Sequence, residues 1–294
     1  MRRLLTLAAL TFASTTAHAD ITAVEGADGV SFLATVQGMT DLDQSRDPAS
    51  WGPERRQGAM YCGPTAGANV LNYFAREGFP EIDPGDVDLE PETTAGVTGR
   101  ERTARLVGNA LKVRLGDGLI ADVADAMETD PVNGTDISGM VDGLRVMLPD
   151  DFTITREGQK ECRNLGNYDI TNPRKIFDHL EAGHIVIVRF GYYQPNAAGT
   201  RYTRQGGHWV VPTTIYRYQD FRRLSWADSA RDDGGRTGSN TTQSSFVNET
   251  SEIEKVWVDT GDCGRNRWQV LSRTSNSGDP AFIEDMVVIA PPGT

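Results

Sequence analysis

Cysteine is scarce in this chain of 294 residues, which has three, namely Cys62, Cys162 and Cys263. So few cysteines exclude a small scaffold held together by many disulfide bonds, and the chain is long enough to bury a sizeable apolar core instead. An odd number in an oxidising compartment leaves one thiol over. We predict that Cys162 pairs with Cys263, because both lie in polar segments, and that Cys62 is free; three free thiols are the alternative.

Long apolar runs are also missing. The most hydrophobic stretch, residues 4–13, is too short to cross a bilayer core of roughly 30 Å. It follows Arg2 and Arg3 and precedes small residues that end at Ala19, which is typical of a secretory signal peptide. We therefore expect residues 1–19 to be removed and the protein to be exported, to the periplasm or out of the cell, without a membrane partner. An N-terminal membrane anchor is the alternative.

Basic residues are few as well: the chain has 29 Lys and Arg against 41 Asp and Glu, which gives a net charge of −12. Nucleic acids and anionic membranes bind clustered Lys and Arg, so we expect neither as a partner. His-x-x-x-His and Cys-x-x-Cys spacings are lacking, as is a phosphate-binding loop that ends in Lys-Ser or Lys-Thr. No metal or cofactor is expected, and an acidic stretch at residues 83–90 is interpreted as a solvated loop rather than a calcium site.

Helical patterns dominate the first half of the chain and strand patterns the second. Helices are predicted at residues 63–76, 100–111, 119–127, 137–148 and 173–180. Strands are predicted at residues 184–190, 209–211, 213–218, 224–227, 255–258, 268–271 and 285–289. Helices followed by strands, without regular alternation, favour an α+β fold with a mainly antiparallel sheet. We predict one domain over residues 51–294, preceded by a lead-in at 20–50 that contains a strand near residues 30–36.

Cys62 stands at the predicted start of a helix. Unpaired N–H groups and the helix dipole at that position stabilise a thiolate, which is the reactive form of cysteine. Pro64 suits the first helical turn, where its missing N–H costs nothing. The position therefore indicates a nucleophile. The alternative is a small buried apolar residue, the role of most free cysteines.

His208 is the histidine best placed to act as a base. It follows two glycines and opens an apolar strand at Trp209, so its ring can reach a helix start and accept the thiol proton. His179 suits a charge near a helix end, and His184 begins an apolar strand, where a structural role is simpler. A histidine satisfied within the core is the alternative for His208.

Two further polar residues complete the predicted site. Asp228 ends a strand twenty residues after His208, where a carboxylate can orient the imidazole; a turn-capping aspartate is the alternative. Gln57 lies five residues before Cys62, and its amide can join the Cys62 backbone N–H in stabilising an oxyanion. A glutamine in an exposed loop is the alternative for that position.

Four blocks of the sequence carry a family resemblance: YCGPTAGANVLNY at 61–73, LEAGHIVIV at 180–188, GGHWVV at 206–211 and WADS at 226–229. In kind and order they resemble the papain-like cysteine peptidases related to the bacteriocin leader-processing, double-glycine enzymes. The resemblance implies a papain-like fold, in which a helical N-terminal part carrying the nucleophile packs on the sheet. It also implies the site roles: Cys62 as nucleophile, His208 as base, Asp228 as orienting acid and Gln57 as oxyanion donor.

The sequence departs from that family at three points. Arg56 stands six residues before Cys62, where the family has its glutamine, and Ser229 follows Asp228, where proline is common. The transporter modules fused to leader-processing members are lacking, so bacteriocin maturation during export is not expected. The function expected is that of an exported cysteine peptidase that cleaves peptide or related amide bonds. Acyl transfer or deamidation by the same triad, and an inactive peptide-binding module, are the alternatives.

Overall fold

A computed structural model describes residues 21–39, 44, 60–82, 119–158, 172–228, 249–259, 264–274 and 278–294. The strands in these ranges are β1 Ile21–Glu25, β2 Phe32–Val36, β3 Thr153–Gly158, β4 Ile185–Pro195, β5 Tyr202–Tyr218, β6 Phe221–Asp228, β7 Glu249–Asp259, β8 Gly264–Thr274 and β9 Pro280–Ala290. The helices are α1 Cys62–Arg76, α2 Leu119–Ala126, α3 Ile137–Met147 and α4 Pro173–Glu181. The signal peptide, Gln57, Cys162, Cys263 and the helix predicted at 100–111 lie outside the described residues.

The four described helices begin and end within a residue or two of their predicted bounds, and side-chain caps explain where α3 and α4 begin. Asp136 accepts a hydrogen bond from the Gly139 N–H at the start of α3. Asn172 accepts one from the Arg174 N–H at the start of α4, where Pro173 occupies the first turn. Side-chain acceptors of this kind satisfy N–H groups that have no partner within the helix. These local signals made the helices predictable.

All strand pairs of the described sheet are antiparallel. The order is β1-β2-β5-β4-β9-β8-β7-β6, β3 pairs with β9, and β6 pairs with β5 as well. The path from β5 through β4, β9, β8 and β7 to β6 therefore closes on itself as a ring of six strands. The length of β5 permits this, because its first part pairs with β4 and its second part with β6.

The prediction of an α+β, papain-like fold with a helical N-terminal part was wrong. The described chain is mostly antiparallel sheet, and β1 and β2 precede α1 yet belong to that sheet. Strand content was underestimated because polar stretches do not resemble strands in the sequence. Residues 209–211 and 213–218 were predicted as two strands, whereas both belong to β5, which already begins at Tyr202 and runs through the polar residues 204–207.

The main apolar core includes residues of the helices and residues on both faces of the sheet. Residues 63–74 of α1 are all buried, and so are Ile185 to Val188 of β4. Phe32, Ala34 and Val36 of β2 belong to the same core, so the predicted lead-in contributes to the interior. In α1, a Cβ on Gly67 would lie 2.7 Å from the Met127 side chain. A glycine at that position therefore lets α1 and the end of α2 approach closely.

Candidate active site

Cys62 is the first residue of α1, is partly exposed and is not in a disulfide bond. Its position depends on Gly63, which packs against the segment that leads into α3. A Cβ on Gly63 would lie 2.6 Å from Oγ1 and 2.7 Å from Cβ of Thr135, closer than real atoms approach. The helix start that carries the sulfur can sit there because residue 63 has no side chain.

His208 lies in β5 opposite Phe190 of β4, and 6% of its surface is exposed. Its Nε2 is 2.5 Å from Oδ1 of Asp228. The side chain also hydrogen-bonds with Cys62, and because Nε2 is engaged by Asp228, Nδ1 is the ring nitrogen left for the sulfur. The imidazole thus stands between a thiol and a carboxylate.

Asp228 is the last residue of β6 and is placed by the pairing of that strand with β5. The register sets Asp228 opposite Val210, two residues beyond His208. The side chains of His208 and Asp228 therefore meet at the end of the paired part of β5 and β6. Its second oxygen, Oδ2, accepts a hydrogen bond of 3.3 Å from the Trp226 indole N–H. Asp228 is 5% exposed, so the carboxylate stands behind the histidine and away from solvent.

The three residues shift one another's protonation. Burial tends to lower the pKa of His208, but the charge and hydrogen bond of Asp228, together with the Cys62 sulfur, raise it to about 10. Burial tends to raise the pKa of Cys62, but His208 and the backbone N–H groups of Trp209 and Gly63 lower it below its usual value. The arrangement therefore favours a thiolate beside an imidazolium more than either side chain alone would.

Trp209 connects β5 to the segment that precedes α3. Its indole N–H donates a 3.0 Å hydrogen bond to the Thr135 carbonyl, and the Arg189 guanidinium stacks on its ring with 5.4 Å to the centroid. Its backbone N–H reaches the Cys62 sulfur. Trp209, which follows His208, therefore links β5 to Cys62 and to the segment before α3. Sequence reasoning interpreted Trp209 only as the beginning of an apolar strand.

Cys62 and His208 open onto a cleft of about 940 Å³. One wall comes from residues 126–139 with Asp142 and Val146, and the other from Arg189 and Tyr192 of β4 and residues 204–209 of β5. Cavities of roughly 300–1,000 Å³ are the usual size of small-ligand sites. The cleft is large enough to admit a substrate to the sulfur.

The sequence prediction missed the buried amide of the described cleft lining, Gln44; the other amides there, those of Asn133 and Gln205, are exposed. Gln44 lines the cleft together with Cys62 and is 8% exposed. No local pattern distinguishes it, because it lies well before the nucleophile and outside the predicted helix. The predicted amide, Gln57, lies outside the described residues, as do Cys162 and Cys263, so these predictions stay predictions.

The two other histidines that the structure describes, His179 and His184, are not part of the cleft lining. His179 Nδ1 is 3.3 Å from His184 Nδ1, and His179 Nε2 is 3.0 Å from a Glu157 carboxylate oxygen. Over the ranges that the structure describes, no three His, Cys, Asp or Glu side chains are grouped as metal ligands, and no helix is long and apolar enough to span a membrane.

Comparison with known proteins does not assign the chain. It matches no protein-family model, and no curated protein is similar to it at a significant level. A function for this chain is therefore argued from its own residues, namely Cys62, His208 and Asp228 and the cleft onto which they open.

Proposed function

We propose that this protein is an exported thiol hydrolase that cleaves a peptide or related amide bond. The single observation that supports it most is the position of the His208 ring, which bonds to the Cys62 sulfur on one side and to the Asp228 carboxylate on the other. A nucleophile, a base and a group that orients the base, joined in this order, are the set that acyl transfer needs. The sulfur of this set is open to the cleft.

In the reaction we propose, the Cys62 thiolate attacks the substrate carbonyl carbon and forms a C–S bond while the carbonyl electrons move to oxygen. The tetrahedral intermediate then breaks its C–N bond, and the His208 imidazolium donates its proton to the leaving amine. His208 takes a proton from water, and the water oxygen attacks the carbonyl carbon of the resulting thioester. The C–S bond then breaks, which releases the acid and restores the Cys62 thiolate. Asp228 keeps the ring oriented and stabilises its positive charge in each half-reaction.

Oxyanion stabilisation is assigned to backbone and amide donors. The Cys62 N–H lies in the first turn of α1, where N–H groups have no acceptor within the helix. A donor at such a position is worth roughly 10²–10³ in rate when it faces the developing charge. Gln57, as predicted from the sequence, is proposed as the second donor.

Two features of the sequence support the same proposal. The four blocks that resemble the double-glycine peptidases contain Cys62, His208 and Asp228 in the same roles. The N-terminal segment has the layout of a signal peptide, which supports export.

The proposal is tested with the purified protein, iodoacetamide and a mixture of fluorogenic peptides. We expect iodoacetamide to alkylate Cys62 faster than a simple thiol at pH 7, and we expect Cys62→Ala and His208→Ala to abolish peptide cleavage. His179→Ala is the matched control, because this histidine lies outside the cleft lining, and its variant should keep full activity.

The outcomes separate the alternatives. Capture of an added amine in the product would indicate acyl transfer in place of hydrolysis. A reactive Cys62 with no turnover of any peptide would favour an inactive binding module. Reaction of Cys62 at the rate of an ordinary thiol would contradict the proposal.

A further inference from the structure

Two arginines face the cleft, but their carboxylate partners do not. Arg189 and Arg204 line the cleft, whereas Glu284 and Asp285 are only 4% and 2% exposed and are not among the described residues of its lining. Arg204 is the more open of the two arginines, with 42% of its side chain exposed. A ligand in the cleft therefore meets the cations first.

The Arg204 guanidinium is held in one orientation. Its Nε lies 2.8 Å from Oε1 of Glu284 and its Nη2 lies 3.0 Å from Oε2, a two-bond fork. The Tyr193 hydroxyl donates a further hydrogen bond of 2.5 Å to Oε1 of Glu284. A guanidinium fixed in this way loses little side-chain entropy on binding and still has N–H groups to donate.

Space for this pair comes from two glycines that face each other in β4 and β5, Gly191 and Gly207. A Cβ on Gly191 would lie 2.2 Å from the Glu284 carboxyl group, and one on Gly207 would lie 2.5 Å from Arg204 Nη2. Gly207 directly precedes His208, and successive strand side chains point to opposite faces, so the guanidinium lies one residue along β5 from the base and on the other face of the strand. Arg204 and His208 both line the cleft. Nothing lies within 4 Å of a Cβ placed on the adjacent Gly206, so the strand is open there.

The local charges leave this wall of the cleft positive. Arg189 pairs with both Glu284 and Asp285, Arg204 pairs with Glu284, and Arg156 pairs with Asp285, so three positive charges share two negative ones. The opposite wall carries Glu128, Asp130, Asp136 and Asp142. An anionic group of a ligand is therefore directed towards the β4–β5 side of the cleft.

We propose that Arg204 is a specificity residue that binds a substrate carboxylate near the bond attacked by Cys62. The inference rests on the proposed hydrolase function and names its substrate class: peptides or related amides that carry a carboxylate close to the scissile bond. Arginine suits this role because it has five N–H donors: with Nε and Nη2 bonded to Glu284, the Nη1–Nη2 edge still offers N–H groups to a second carboxylate. Glu284 acts behind it as a positioning residue.

The test compares two alkylating reagents of similar size, the anion iodoacetate and the neutral iodoacetamide, on Cys62 at low salt. Reaction of the Cys62→Ala protein is subtracted to remove other thiols. We expect Arg204→Gln to slow alkylation by iodoacetate about threefold relative to alkylation by iodoacetamide, because a positive charge that lines the same cleft as Cys62 is lost. Arg201→Gln is the matched control, since it removes the same charge from an exposed residue outside the cleft lining, and its ratio should equal that of the wild type.

A second variant covers the possibility that Arg204→Gln does not fold, since it leaves Glu284 buried with one partner fewer. The double variant Arg204→Gln/Glu284→Gln removes one positive and one negative charge and so keeps the net charge of this wall. A loss of iodoacetate preference is expected to remain in it at a smaller size, because the contact between Arg204 and the anion is gone while the net charge is unchanged. A reagent ratio that is the same in the wild type and in these variants would overturn the proposal and leave the hydrolase function standing. Slow alkylation of Cys62 by iodoacetamide in the wild type would instead contradict the function, and this inference with it.

Protection of wild-type Cys62 from iodoacetamide then identifies the source of the carboxylate. One pair of peptide pools differs in a C-terminal acid or a C-terminal amide, and a second pair differs in an internal glutamate or glutamine. If peptides with a C-terminal acid protect Cys62 better than those with a C-terminal amide, Arg204 binds a terminal carboxylate. If peptides with glutamate protect better than those with glutamine, it binds a side-chain carboxylate. Equal protection within both pairs would overturn recognition of a substrate carboxylate.

Discussion

His208 Nε2 and Asp228 Oδ1 lie 2.5 Å apart although they belong to different strands, and the β5–β6 register that pairs Val210 with Asp228 brings them together. The same histidine bonds to Cys62 at the start of α1. One ring therefore links the sheet to a helix that precedes most of it in the chain. The predictions below test what that link does.

Asp228→Asn should retain the shape of the site but lose the charge that raises the pKa of His208. We expect kcat/KM to fall by about 10²–10⁴-fold, the range known for loss of an orienting carboxylate. The pKa of the Cys62 thiol should rise towards its ordinary value, because a less basic imidazole stabilises the thiolate less. The rate of iodoacetamide labelling against pH measures this shift, and an unchanged midpoint would contradict it.

The pH profile of peptide hydrolysis should be bell-shaped. The acid limb should lie below the ordinary thiol pKa of about 8.5, because the pKa of Cys62 is lowered, and the alkaline limb should lie near 10, because the pKa of His208 is raised to about 10. Steady-state kcat/KM across this range measures both limbs. An acid limb at the ordinary thiol pKa would show that no ion pair forms.

The same shifts predict the sign of the stability change with pH. His208 contributes stability in full below the ordinary histidine pKa of about 6.5, and this contribution is lost as the pH rises through about 10. Cys62 acts in the opposite sense, since its contribution is present above the ordinary thiol pKa and is lost as the pH falls through the lowered one. Thermal unfolding of the wild type and of His208→Gln should therefore converge at high pH.

Gly63→Ala should displace the nucleophile, because the added Cβ would lie 2.6 Å from Thr135 Oγ1. We expect a loss of about 1–3 kcal/mol in the free energy of unfolding, typical of overpacking, and a larger relative loss of activity. Urea unfolding and peptide hydrolysis measure the two effects. Gly206→Ala is the stability control, because no atom lies within 4 Å of its Cβ position, and equal destabilisation by both variants would contradict the close approach.

Gln57→Ala tests the predicted oxyanion donor. We expect kcat to fall by about 10²–10³-fold with little change in KM, since the amide is proposed to act on the intermediate rather than on the bound substrate. Gln44→Ala is the matched variant, because Gln44 is the buried glutamine among the described residues that line the cleft with Cys62. Full activity of Gln57→Ala, together with a large loss for Gln44→Ala, would assign the role to Gln44.

Phe32→Ala tests whether β2 is an essential part of the fold or a removable segment. Phe32 is 3% exposed and its ring centroid lies 4.8 Å from that of Phe177 in α4. Its loss should cost about 3–5 kcal/mol in the free energy of unfolding, as for other buried aromatic residues. The adjacent Leu33 is 39% exposed, so Leu33→Ala should change stability by no more than about 0.5 kcal/mol. Urea unfolding that shows equal effects would contradict the core role of β2.

Local chemistry explains which parts were predictable. Asp136 and Asn172 cap α3 and α4 through residues two or three positions away, so these helices can be located without knowledge of the fold. Cys62 was assigned to a helix start from the helical apolar pattern that follows it and from Pro64 in the first turn, and that placement is confirmed. Polar strand residues such as Arg204 gave no such signal, and the fold class was wrong as a result.

The sequence by itself determined the candidate nucleophile, base and carboxylate and the local elements that carry them, because these depend on residue type and on neighbours a few positions away. Only the tertiary structure decided that β1 and β2 join the main sheet, that β6 closes the ring onto β5, and that Arg204 and Glu284 meet over two glycines beside His208. These relationships depend on the register between strands distant in sequence. That register follows from how side chains pack across the whole sheet, which no short stretch of sequence records.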